Sequence, residues 1–158
     1  MQPRIDMNKA TKSVPDGMKA LMALETAIKS SGLEPGLIEL VKTRASQLNG
    51  CAYCLQMHTR DARAHGETEE RLYLLSAWEE SPLYTERERA ALAWTDAVTL
   101  VAQTHVPDQV FETLREQFSD EEIAKLTLLV GTINLWNRMA ISFRAVHPTN
   151  LVKARASS

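Results

Sequence analysis

Cysteine is scarce in this sequence, which has 158 residues and only Cys51 and Cys54 as thiols. The two stand in a single Cys-x-x-Cys motif, so a fold held together by several disulfides is excluded. A structural zinc site needs four ligands, and no second pair with ligand spacing accompanies this one. A lone Cys-x-x-Cys in a protein that is not exported is better interpreted as redox-active than as a structural staple.

Long apolar runs and a strong charge of one sign are also missing. The longest apolar run, 126–136, is too short to span a bilayer and contains Gly131, Thr132 and Asn134. The first six residues lack the apolar segment of a signal peptide, and the formal net charge of −2 does not suggest a nucleic-acid surface. We therefore expect a cytoplasmic protein with no membrane or nucleic-acid partner.

No stretch alternates convincingly between apolar and polar residues, as a half-buried strand would. Apolar residues at helical spacing, Pro at helix starts, Gly after helix ends and two capping boxes predict instead a single all-α domain, a helical bundle. We expect residues 1–13 to form a polar lead-in with few contacts to the rest of the chain. Residues 14–145 should form the helical domain, and 146–158 a tail. The predicted helices cover about 16–30, 35–48, 51–65, 69–79, 85–103, 107–117 and 119–142.

The cysteines fall at the predicted start of the third helix, which is central to the bundle. Free N–H groups and the positive end of the helix dipole favour a thiolate there. His58 follows Cys54 by four residues and so lies on the same helical face, within reach of that sulfur. The motif thus predicts redox chemistry in which a base takes a thiol proton and the product is stored as a disulfide. The alternatives are a pair of inert buried thiols and, more weakly, a zinc site.

A carboxylate joins this group if the second and third helices form an antiparallel hairpin about 49–50. Glu39 then lies roughly 13–14 Å below the hairpin tip and His58 roughly 10 Å below it, so the two side chains can be level. The alternative interpretation makes Glu39 a solvated carboxylate on a polar strip with Lys42, Thr43 and Ser46.

The sequence also leads to expectations for two basic residues, a polar group in the last helix and the three tryptophans. Lys42 and Arg44 are interpreted as surface charges. The polar group within the apolar last helix should tie helices or subunits together by hydrogen bonds, because buried polar groups need partners. Its members are Asn134, Asn137 and Arg138. The three tryptophans, Trp78, Trp94 and Trp136, are expected as anchors of the core or of a subunit contact.

Glu39, the run Leu-Asn-Gly-Cys-Ala-Tyr-Cys at 48–54 and His58 resemble the alkylhydroperoxidase D-like members of the carboxymuconolactone decarboxylase superfamily. The similarity extends over about 20–145. It implies an all-helical oligomer, commonly a trimer or hexamer, in which Glu39 and His58 form a proton relay to Cys51 and Cys54. Some members carry a second histidine immediately before the later cysteine, where this chain has Tyr53, so a relay through that histidine is not expected.

These observations predict a thiol-dependent peroxidase that reduces hydrogen peroxide or small organic hydroperoxides, with an external thiol or dithiol as reductant and no cofactor or metal. Which sulfur attacks first stays open: Cys54 has the nearby base, whereas Cys51 at the helix tip should be more accessible. The wide apolar faces in 92–101 and 126–141 predict a homo-oligomer. The alternatives are a redox-responsive binding protein with little turnover and a decarboxylase-like lyase, against which the cysteine pair argues.

Overall fold

In the computed structural model, which describes residues 2–148, the chain is helical from Met7 to Phe143 apart from short connections, and no strand occurs in that range. The all-α single-domain prediction is confirmed. The helices are α1 (Met7–Ser13), α2 (Pro15–Lys29), α3 (Pro35–Asn49), α4 (Ala52–Ala64), α5 (Glu69–Leu74), α6 (Glu86–Thr99), α7 (Val101–Thr104), α8 (Asp108–Arg115) and α9 (Asp120–Phe143), with a 3₁₀ turn at Leu75–Ala77. No helix in the described range is long and apolar enough to cross a membrane.

Local sequence explains where most helices begin. Pro15 and Pro35 occupy the first positions of α2 and α3, where the missing N–H costs nothing. Both predicted capping boxes form: Thr85 caps α6 with Glu88, and Ser119 caps α9 with Glu122.

Two predicted helices are divided in the structure. The segment predicted as 85–103 breaks at Leu100, and the Thr104 hydroxyl donates to the Ala97 carbonyl at 2.7 Å in place of a regular helical partner. The segment predicted as 69–79 is α5 followed by the 3₁₀ turn. Side-chain hydrogen bonds and tight last turns of this kind are invisible to hydrophobic periodicity.

The lead-in, residues 1–13, was expected to make few contacts, but it contains a helix and is hydrogen-bonded to the domain. Asp6 caps α1 by accepting from the Lys9 N–H, and the Arg4 N–H donates to the Phe143 carbonyl at 2.9 Å. No residue of α1 is buried, so hydrophobic periodicity does not predict this helix. Most of the predicted tail, residues 149–158, lies outside the described residues.

Helix α3 runs through the middle of the bundle and packs against α4, α6 and α9. Glu39, Lys42, Thr43 and Ser46 are all buried, so the alternative interpretation of these residues as a solvated strip is wrong. The Thr43 and Ser46 hydroxyls each donate to the carbonyl four residues earlier at 2.7 Å, which satisfies them inside the bundle. Arg44 is not a free surface charge either, because its Nη2 lies 2.6 Å from Asp96 Oδ2 on α6.

Most of the apolar core fills the space between α3 and helices α2, α6, α8 and α9. Trp94 belongs to this cluster and Trp78 to a smaller one, so both are core anchors, as expected. Together these clusters fix α3 against its neighbours. The main cluster includes Ile28, Leu37, Val41, Ala91, Trp94, Leu114, Leu126 and Leu129.

Polar residues join α9 to the helices beside it. Asn49 at the end of α3 donates to Asn134 Oδ1 at 3.0 Å, and Asn134 donates to the Thr99 hydroxyl of α6 at 3.0 Å. The expectation that Asn134 ties helices together is confirmed. Arg138 differs, since Nη1 donates to Asn134 within the same helix.

Candidate active site

The turn between α3 and α4 sets the position of the first cysteine. Gly50 adopts the left-handed conformation with φ 69°, and its N–H binds the Gln47 carbonyl. The Cys51 N–H binds the Ser46 carbonyl at 3.0 Å, which completes a Schellman ending for α3. Because glycine reaches this backbone conformation without strain, the chain reverses within two residues and Cys51 becomes the N-cap of α4.

Both cysteines are reduced, and each is 1% exposed. Cys51 Sγ accepts a hydrogen bond from the Cys54 N–H at 3.4 Å, as an N-cap side chain does. The sulfur therefore faces the free N–H groups and the positive end of α4, a setting that stabilises a thiolate.

The two thiols are unequal. A hydrogen bond from the Cys54 thiol, backbone N–H groups of the first turn and the Asn137 amide lower the pKa of Cys51 to about 7, against the opposing effect of burial. The pKa of Cys54 is raised because its thiol donates to Cys51, because it is buried, and because the neighbouring sulfur is negative. As the pH rises through 7, the first negative charge of the pair therefore forms on Cys51, and Cys54 keeps its proton.

Asn137 on α9 is a fully buried amide that joins α9 to α3 near the cysteines. Its Nδ2 lies 3.1 Å from the Ser46 hydroxyl, and its Oδ1 accepts from Asn49 at 2.8 Å. The same amide lowers the pKa of both cysteines. The prediction that Asn137 ties helices together is confirmed, whereas its effect on the thiols was not predicted.

Glu39 and His58 meet across the α3–α4 hairpin, as the rise per residue predicted. His58 Nδ1 lies 2.8 Å from Glu39 Oε2, and both side chains are buried. Since an ionised carboxylate only accepts, Nδ1 carries a proton and donates, and in a neutral imidazole Nε2 is then the basic nitrogen. A carboxylate that fixes the tautomer and the ring orientation in this way prepares a histidine to act as a base.

A second buried polar group lies beside the first and was missed by the sequence analysis. Lys42 Nζ forms a 2.7 Å ion pair with Glu25 Oε2 on α2, and Trp136 Nε1 donates to Glu25 Oε1 at 2.9 Å. The Lys42 side chain is 2% exposed, so its interpretation as a surface charge is wrong. Only packing of α2, α3 and α9 brings these three residues together, and no local pattern in the sequence signals it.

Both groups open onto one cavity of about 290 Å³. Cys54 is among its lining residues, while Cys51 is not. The expectation that Cys51 would be the more accessible sulfur is therefore wrong, because the N-cap position turns it into the protein. The remaining wall is mainly apolar and includes Met7, Met22, Met57, Tyr53, Trp136 and Ala140.

Three residues could in principle offer ligand atoms to a cation. Oxygen or nitrogen atoms of Glu39, His58 and Asp61 lie within 4.8 Å of one another. A cation there would have to replace the hydrogen bond between Glu39 and His58, and Lys29 and Lys42 add positive charge to the same cavity. The arrangement is better suited to proton transfer than to holding a metal.

The all-α fold, the Cys-x-x-Cys motif and the buried Glu39–His58 pair define this chain as a helical dithiol protein. The model of the carboxymuconolactone decarboxylase family matches residues 15–97, just over half of the chain, and the chain belongs to that family. It is similar to the uncharacterized protein YdfG of Bacillus subtilis, with 44% identity over 128 residues that cover 81% of this chain and 87% of YdfG.

Two solved structures extend the comparison. A protein of unknown function from Agrobacterium tumefaciens, provisionally described as the antioxidant defence protein AhpD, shares 52% identity at a TM-score of 0.89, covering 94% of this chain and 100% of its own. An uncharacterized peroxidase-related protein from Ralstonia eutropha, described as an alkylhydroperoxidase AhpD core, shares 25% identity at a TM-score of 0.77, covering 90% and 75%. The predicted resemblance to AhpD-like proteins of this superfamily is confirmed.

The unequal thiols predict a distinctive titration. Because the pKa of Cys51 is lowered, one thiolate per chain should form with a midpoint near pH 7, and the second should not form below pH 9. Thiolate absorbance near 240 nm of the reduced protein measures both steps. Cys54→Ala removes the largest source of stabilisation and should move the Cys51 midpoint upward. A wild-type midpoint at the ordinary thiol value, or two thiolates forming together, would contradict the assignment.

Proposed function

We propose that this protein is a thiol-dependent peroxidase that reduces hydrogen peroxide or small organic hydroperoxides through a Cys51/Cys54 dithiol–disulfide cycle. The observation that carries the proposal is the placement of Cys54 and the Glu39–His58 pair on one small cavity, with Cys51 directly behind it. The AhpD-like relatives support the same class of activity.

Cys54 is the proposed attacking residue because it lines the cavity. Its proton passes to His58 Nε2, directly or through water, while Glu39 holds the imidazole. The thiolate then attacks one peroxide oxygen: an S–O bond forms, the O–O bond breaks, and the sulfur is oxidised by two electrons to a sulfenic acid. The departing alkoxide or hydroxide takes the proton from His58 and leaves as alcohol or water.

Cys51 is the proposed resolving residue. Because its pKa is lowered to about 7, a large fraction of Cys51 is thiolate at neutral pH and can attack the Cys54 sulfur once the sulfenic acid has formed. The S–S bond forms, the S–O bond breaks, and the hydroxide that leaves takes a proton from solvent to become water. An external thiol or dithiol then reduces the disulfide, a step that fits a reducing compartment such as the cytoplasm.

The cavity favours small substrates with some apolar surface. Its volume of about 290 Å³ lies at the lower end of the range for small-molecule sites, and the part of its wall that lies outside the ionisable residues is largely methionine and aromatic. The alternative of a redox-responsive binding protein uses the same thiols but predicts oxidation without efficient turnover. A lyase activity should survive the loss of both cysteines.

Turnover with matched histidine variants tests the proposal. We expect peroxide consumption with several thiol donors, including a dihydrolipoyl one. His58→Ala should lower the rate of thiol oxidation by about 10²–10⁴-fold, as for the loss of a positioned base, and Glu39→Gln should lower it less. Stopped-flow oxidation of the reduced protein gives the rates.

His65→Ala is the control, because His65 lies exposed at the end of the same helix with its Nδ1 against the Asp61 carbonyl. It should behave as wild type. Slow stoichiometric oxidation with every donor would favour the sensor, and a rate insensitive to His58→Ala would overturn the relay.

We also propose that the protein is a homo-oligomer, a trimer or hexamer. Leu92 and Trp94 are buried within the chain, so the apolar residues of α6 do not support association. Leu128 and Leu135 do: they are 55% and 46% exposed, and their spacing of seven residues puts them on one face of α9. Leu135 adjoins Trp136 of the cavity wall, so a contact here would lie near the site.

Light scattering tests the association. At low micromolar concentration the mass should be three or six times 17.7 kDa, and Leu135→Lys should reduce it. The same change at Val146, which is exposed outside α9, is the control and should leave the mass unchanged. A monodisperse wild-type monomer with full turnover would contradict the assembly.

A further inference from the structure

Lys42 is a charged residue that takes no part in the reaction steps proposed above. Its side chain is 2% exposed, and it lines the same cavity as Cys54 and His58. An ammonium is costly to bury, and replacing a buried ion pair by apolar residues of similar volume is often neutral or stabilising. Stability of the fold alone therefore does not account for a lysine at this position.

The hydrogen bonds of Lys42 are incomplete. An ammonium has three N–H donors, and among the described residues the partner recorded for Nζ is Glu25 Oε2 at 2.7 Å. Glu25 is itself held by Trp136, so it fixes the position of Nζ without using its other donors. Those donors are available to a molecule in the cavity.

The register of the hairpin sets Lys42 level with the attacking sulfur. The Glu39–His58 contact aligns the two antiparallel helices. From that contact, Lys42 lies three residues toward the hairpin tip on α3, a rise of about 4.5 Å, and Cys54 lies four residues toward it on α4, about 6 Å. A peroxide in front of Cys54 is therefore bounded by His58 on one side and Lys42 on the other.

Resting on the peroxidase function above, we propose that the Lys42 ammonium binds the peroxide and stabilises the oxygen that leaves. As Cys54 forms the S–O bond and the O–O bond breaks, negative charge develops on the departing oxygen. Lys42 donates a charge-assisted hydrogen bond to it until His58 delivers the proton. Lys42 keeps its own protons throughout.

Two electrophiles separate this role from a general effect on the thiol. Iodoacetamide releases iodide, which needs no hydrogen-bond donor, whereas a peroxide releases an alkoxide or hydroxide, which does. Lys42→Met removes the charge and keeps the length of the side chain. We expect the pH-independent rate constant for peroxide to fall by about 10²–10³-fold, as for the loss of an oxyanion donor. The corresponding constant for iodoacetamide should change less than about threefold.

Using pH-independent constants removes any change in thiol pKa caused by the missing charge. Lys42→Arg should restore much of the peroxide rate because a cationic donor is retained. Lys19→Met makes the same charge change at an exposed position of α2 and should have no effect.

The double variant Lys42→Met/Glu25→Gln leaves no unpaired buried charge, and it should show the same selective loss if the single variant folds poorly.

The outcomes are distinct. A peroxide rate unaffected in Lys42→Met, or equal losses for peroxide and iodoacetamide, would overturn the role of Lys42 while leaving the peroxidase function standing. Wild-type protein that fails to react with any peroxide would overturn the proposed function itself. A selective loss that Lys42→Arg rescues would support the inference.

Discussion

The buried hydrogen bond between Glu39 and His58 holds the arrangement on which the site depends. It joins α3 to α4 at a fixed register and gives the imidazole one tautomer. Everything nearer the hairpin tip follows from that register: Lys42 level with Cys54, and Ser46 level with Cys51. The Schellman turn at Gly50 closes the hairpin, so neither cysteine can shift along its helix without breaking one of these two contacts.

The two cysteines differ in position and in pKa because of the same geometry. The N-cap position gives Cys51 the hydrogen bond from the Cys54 N–H and takes it out of the cavity, whereas Cys54, three residues later, lines the cavity and has a raised pKa. The sulfur with the lowered pKa is thus not the one that lines the cavity. In the proposed reaction, His58 on the same cavity accepts the proton of Cys54, which is why a base is needed even though the pKa of the other thiol is low.

The site residues that sequence reasoning found are those linked by local spacing. Cys51, Cys54 and His58 lie on one helix, and Glu39 needs only a short hairpin to reach them. Lys42 was misjudged because a polar residue on a helix usually faces water, and nothing local reveals that α3 is enclosed by α4, α6 and α9. Glu25 and Trp136 are 111 residues apart in the chain, so their contact depends on the whole bundle. The polar lead-in was misjudged for a related reason, since α1 is attached by a backbone hydrogen bond and not by apolar burial.

In the proposed reaction, peroxide oxidises Cys51 and Cys54 to a disulfide through one productive attack. The most direct measurement is rapid-quench mass spectrometry of the reduced protein after one equivalent of hydrogen peroxide, with free thiols blocked at each time point. We expect a loss of two hydrogens on the peptide that contains both cysteines, at the rate at which peroxide disappears, and reversal by a dithiol. Thiols that stay free while peroxide persists, or a sulfinic acid formed without a disulfide, would contradict it.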